Sequence, residues 1–276
     1  PYFTPESVEK ERGIIAQEIR MVEDSPDWQV YEQLLACLYH SSPARIPIAG
    51  TVESIAGITA DTLYACHKAF YCPSNMALCV VGDVDENAVL ALADEVLPRE
   101  RGEEIVRCYG EREDDAAAQH ETVTQMEVAL PQFLVGFKCA ADEADLMRQS
   151  LIGEMACDIL LGDSSPLYQR LYDEGLINAS FGGGFDQLPG VAVLCAGGES
   201  EQPHKVSDAI LAEAQRLARA GIDPDFFEQI RRASFGATLR AMNSFENLAV
   251  SLVDGCFRGF DPFRFPEVYE SIGKTD

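Results

Sequence analysis

The sequence is poor in histidine, tryptophan and positive charge. Its 276 residues hold four histidines, one tryptophan and 21 Lys plus Arg against 46 Asp plus Glu, for a formal charge of −25. Such an acid excess excludes nucleic acid as a partner, because the phosphate backbone is itself a dense row of negative charge. No apolar run approaches the roughly 18 residues a membrane-spanning helix needs, so no membrane partner is expected. The histidines are His40, His67, His120 and His204, and none stands four residues from another, so a helical histidine pair is missing. His67, on a helix before Phe70-Tyr71, reads as a packing or capping residue. The nine cysteines form no C-x-x-C pair, and most lie in apolar runs, as Cys79 and Cys195 do. Scattered thiols behave as small buried hydrophobes and fit a reducing, cytoplasmic setting better than a disulfide framework. Gly182-Gly183-Gly184 has no following Lys-Ser/Thr and opens no helix, which excludes a phosphate loop. Glycines within a strand instead mark a bulge or a close backbone approach. No signal peptide is read, and the start at Pro1 without a Met reads as a piece of something longer.

What is present is an ordinary globular composition, 47% apolar and 24% charged. Thr4-Pro5-Glu6 is a helix start: a capping side chain, a proline suited to the first turn and an acid at the positive dipole end. Val8, Ile15, Ile19 and Val22 form its apolar stripe. Further helices are expected at residues 28–39, 58–71 (capped by Thr59) and 86–96, with a loop over 41–50 and a strand over 75–81. A dense run of charge then marks a domain boundary, giving residues 1–98, a linker 99–120 and a second domain 121–276. The second part reads as strands at 122–130 and 133–139, a helix at 142–161 ending at Gly162, and a short helix from Ser165-Pro166 to about Glu174. Strands follow at 179–185 and 191–196, then helices at 207–220, 224–242 and 246–256, and residues 260–276 give no clear final element. Strands, a helix, strands and then helices argue an α+β fold rather than a doubly wound sheet.

The first helix carries the sharpest chemical signal. Glu11 and Glu18 are seven residues apart, two turns, and so share a face within about 20°. That face borders the apolar stripe, where desolvated carboxylates need a metal ion, an arginine or a helix N-terminus to compensate. A solvated or salt-bridged face is the alternative on spacing alone. Glu6, Glu9, Glu23 and Asp24 point elsewhere, toward expected solvent.

The segment Glu11-Arg12-Gly13-Ile14-Ile15-Ala16-Gln17-Glu18-Ile19 resembles one in the pitrilysin/insulinase family of zinc metallopeptidases. The resemblance continues in order through Leu34–Tyr39, Pro47–Ile55, Phe70–Met76 and Val80–Val84, then Ser164–Tyr172 and Gly175-Leu176-Ile177. It implies an α+β architecture of two similar half-clamshell domains, the first truncated here, with antiparallel or mixed sheets packed by helices. It also implies zinc held by two histidines of a His-x-x-Glu-His motif and a downstream glutamate, to which Glu18 corresponds. Glu11 corresponds to a second glutamate that supports the site from outside the ligand set. Catalytic zinc takes three protein ligands and an open position for water, which the metal acidifies.

No His-x-x-Glu-His stands in this sequence. The resemblance therefore implies zinc and peptide hydrolysis in an intact parent, with zinc absent from this chain and the chain alone inactive. The implied partners are a peptide substrate, held by strand addition, and a second half or partner subunit. That partner supplies an arginine and tyrosine seven residues apart, a pair incomplete here because Ile177 follows Arg170 at that spacing. Arg170 is then expected to be a salt-bridging surface residue. A non-catalytic structural or substrate-binding subunit of the same family, or an acidic interaction module, are the competing readings.

Overall fold

The computed structural model describes residues 1–99, 102–103, 105–110, 113–141 and 144–273. Glu100, Arg101, Glu104, Glu111 and Arg112 of the expected linker lie outside the described residues, as do Asp142 and Glu143 at the expected helix start and the last three residues. In order, the helices are α1 (Pro5–Glu23), α2 (Pro26–Leu38), α3 (Val52–Ala56), α4 (Ala60–Phe70), α5 (Glu86–Val96), α6 (Leu146–Leu161), α7 (Pro166–Asp173), α8 (Pro203–Ala220), α9 (Pro224–Ala241), α10 (Phe245–Arg258) and α11 (Phe265–Ile272). The strands are β1 (Gln132–Cys139), β2 (Gly182–Leu188) and β3 (Val191–Glu199), so the fold is α+β and rich in helix.

The chain divides into two compact units. One comprises Pro1–Met21, Ala49–Cys108 and Thr238–Phe263; the other comprises Val22–Ile48, Tyr109–Ala237 and Arg264–Asp276.

The first unit is helical among its described residues. Thr4 and Ser7 cap α1 reciprocally, each side-chain oxygen accepting the other's backbone N–H. Thr51 and Thr59 open α3 and α4 with capping boxes. Ala16 and Ile19 of α1 pack on Ile55 of α3, with Val52 and Ile58 at the edge of the cluster. Ala16 thus takes the core position that spacing gave to Ile15, which stays 40% exposed. The strand expected over residues 75–81 does not form: Pro73–Asn75 is a 3-10 turn, and no strand follows. A strand exists only when a neighbour completes its ladder, and none lies beside these residues among those described. Met76, Leu78 and Val80 are accordingly exposed, as are Leu90, Leu92 and Val96 on α5.

The second unit is organised on an antiparallel sheet of order β1-β3-β2. Alternation along the central strand sends Val191 and Val193 to one face, where Leu35, Leu38 and Tyr39 at the end of α2 cover them. Leu194 and Ala196 face the opposite way, into a core built from Phe133, Leu160, Leu161, Leu167, Leu171, Ile177 and others. Both faces of the central strand are therefore covered. Close packing explains two glycines. A Cβ on Gly136 would lie 2.8 Å from the Leu34 and Leu38 methyls of α2, and one on Gly183 would lie 2.2 Å from Leu161 and 2.6 Å from the Cys195 carbonyl. Gly182 and Gly184, on either side, meet nothing within 4 Å.

The β2 strand begins at residue 182 rather than 179, and α6 at Leu146 with Asp145 as its cap rather than at 142. No strand forms over 122–130; Thr124 instead bonds the Gln33 side chain of α2. The tail contains α11, whose Phe265, Tyr269 and Ile272 are buried.

Candidate functional site

The α1 helix presents Glu11 and Glu18 on an exposed face, two turns apart. Ile14 and Ile15 lie between them, 41% and 40% exposed. Neither carboxylate has a hydrogen bond or ion pair among the described residues. The arginine beside Glu11 is differently placed. Arg12 donates from Nη2 to the Ile58 carbonyl at 2.8 Å and pairs with Glu9 one turn back. This ties α1 to the segment that opens α4. Glu9 is therefore paired rather than simply solvated, and Arg12 is an anchor that composition and spacing did not reveal.

No group of three or more His, Cys, Asp or Glu side chains among the described residues could hold a metal ion. The described residues therefore do not make up a zinc site by themselves. His67 stacks on Tyr71 with ring centres 4.8 Å apart, and its carbonyl accepts the Tyr71 N–H. It is a packing and capping residue.

In the second unit Arg170 is exposed and makes no ion pair among the described residues, which corrects the expectation of a surface salt bridge. Its charge still helps to hold the Glu213 carboxyl below its ordinary range, after the hydrogen bonds from Arg216. Ile177, seven residues on, is 6% exposed and belongs to the main core. A hydrophobic core position is thus what replaces the implied tyrosine. Cys157, Leu161, Tyr168, Phe181 and Gly183 border a cavity of about 290 Å³ beside β2. Burial, then neighbouring thiols and acids, pushes the Cys157 thiol up to about 12, so it is a neutral and unreactive group. All nine cysteines are unpaired.

With this geometry in view, the likenesses to known proteins are specific. The helix-rich α+β scaffold is that of the M16-type peptidases: it superposes on the crystal structure of an M16-like peptidase from Alicyclobacillus acidocaldarius with a TM-score of 0.90 and 32% identity, over 98% of this chain and 66% of that one. A protease from Helicobacter pylori shares the fold alone, at a TM-score of 0.83 and 20% identity, over 100% of this chain and 68% of that one. The family model for the Peptidase M16 inactive domain matches residues 57–234, and the chain belongs to that family. The pitrilysin/insulinase resemblance read from the sequence is thereby upheld. The uncharacterized zinc protease YmfH of Bacillus subtilis (strain 168) is 35% identical over 100% of this chain, which spans 65% of that relative's length.

Proposed function

We propose that this chain is the part of a zinc metalloendopeptidase that contributes the glutamate helix. Glu18 is one metal ligand, and Glu11 supports the site from outside the ligand set. The observation that carries the reading is the pair of carboxylates, unpartnered among the described residues, on one exposed, partly apolar face of α1, beside a helix anchor at Arg12. An exposed isoleucine pair between two free acids is a surface suited to being covered by a group that answers both their charge and the apolar area. The two histidines and the general base come from residues outside this sequence, since its four histidines supply no such pair. The chain alone is then inactive toward peptides. The substrate is an extended peptide, the arginine–tyrosine pair belongs to a second half or partner subunit, and the setting is a reducing cytoplasm, a reading that the unpaired thiols support.

A second reading is favoured by one specific observation: the matching family model is that of an inactive domain, and it covers residues 57–234. On that reading the chain belongs to a non-catalytic subunit that grips substrate or supports a partner. Metal content and turnover of the intact parent polypeptide separate the two. Under the enzyme reading Glu18→Gln lowers zinc occupancy and activity together, by tenfold or more on the order of what ligand-shell changes cost, whereas Glu11→Gln lowers activity with less metal loss. Normal zinc content and full activity in Glu18→Gln removes the ligand assignment, and a parent that binds no zinc supports the subunit.

A further inference from the structure

The turn after α2 aims three successive backbone amides at one carboxylate. His40 N–H donates to Glu113 Oε2 at 2.9 Å, and Ser41 N–H donates to Oε1 at 2.6 Å. Ser42 N–H donates to the same Oε1, and the Ser41 hydroxyl adds a fourth contact at 3.1 Å. Lys138 of β1 faces the group with its Nζ 3.6 Å from Oε2. That same Nζ donates to the carbonyls of Asp114 at 2.7 Å and Ala116 at 2.9 Å, and lies 5.0 Å from the Tyr39 ring centre. Farther along, Gln119 N–H donates to the Cys37 carbonyl at 2.9 Å.

Consecutive amides converging on a point form an anion nest, and hydrogen bonds to an ionised acceptor are roughly twice as strong as neutral ones. The side chains of Glu113 and Lys138 are only 11% and 14% exposed. This sets the pair apart from an exposed surface bridge, which contributes little. We propose that Glu113 is an internal clip: its carboxylate, seated in the His40–Ser42 nest and countered by Lys138, fastens residues 113–119 to the end of α2 and to β1. That stretch then belongs mechanically to the second unit, although its charge density reads as linker. Burial pushes the Glu113 carboxyl up, but the amide donors outweigh it and hold it at about 2. The clip is therefore constitutive across physiological pH and is no pH switch. The chemistry is exacting, because an amide in place of the carboxylate offers one acceptor oxygen and turns an NH2 donor toward other donors.

Hydrogen exchange on this chain, followed at the amides of His40, Ser41, Ser42 and Gln119, tests the clip. In the wild type all four exchange at least about tenfold more slowly than in Glu113→Gln, while amides in α6 and α8 are unchanged. Lys138→Met, which leaves the nest intact, gives a smaller acceleration confined to the same four sites. Wild-type exchange of the four amides at the rate of an unstructured peptide overturns the proposal. So does protection that survives unaltered in Glu113→Gln. If Glu113→Gln also unfolds α6, the wild-type rates and Lys138→Met still decide.

Discussion

Ser165 is wholly buried, yet its side chain is polar. Its hydroxyl accepts the Tyr168 N–H at 3.1 Å and so caps α7, with Pro166 pre-set for the first turn. Ser165→Ala removes the cap and leaves a buried donor unanswered, which costs about 1–2 kcal/mol. A urea titration should show a lower midpoint with an unchanged slope. This residue was legible in the sequence because Ser-Pro before an apolar run is a local signal. Thr4 and Thr59 were legible on the same ground. Glu113 was not, since nothing in its neighbourhood distinguishes it from the surrounding acids; its role arises from a turn some seventy residues earlier. The same holds for Arg12, whose acceptor at Ile58 is remote in sequence. Glu11 and Glu18 were legible as a shared face, but spacing cannot say what lies opposite that face.

At the scale of elements, strands separate what sequence pattern can and cannot give. The β3 segment is apolar on both faces, as a strand buried on both sides must be, and it forms where expected. Residues 75–81 have the same apolar character and form no ladder among the described residues. Pattern reports a wish to be buried; pairing depends on a neighbour. The α11 helix stands where no final element was expected, although Phe265, Tyr269 and Ile272 follow helical spacing. Close approach between elements is equally invisible in one dimension. The α2 helix sits near enough to β1 that a side chain at Gly136 strikes the Leu34 and Leu38 methyls at 2.8 Å. Gly136→Val therefore overpacks that contact and destabilises the second unit by roughly 1–3 kcal/mol. Thermal unfolding followed by near-ultraviolet circular dichroism should show the loss. Gly184→Ala, whose Cβ meets nothing within 4 Å, serves as the control with little change.

For the whole molecule, a formal charge of −25 means that self-repulsion opposes the folded state throughout. Raising salt from about 0.01 M to 0.15 M shortens the screening length from about 30 Å to about 8 Å. The melting temperature should rise over that range, and a flat or falling response would show that attractive pairs such as Arg231 with Glu228 outweigh the repulsion. The interleaving of the two units bears on how the molecule can be handled. Each is assembled from three separated stretches of chain, and α2, which precedes β1 by nearly a hundred residues, supplies the lid of leucines over Val191 and Val193. A clone beginning after the acidic stretch would express the sheet stripped on one side. Genetic dissection of this protein at any single cut point thus yields two incomplete pieces, and co-expression of both is the way to recover either.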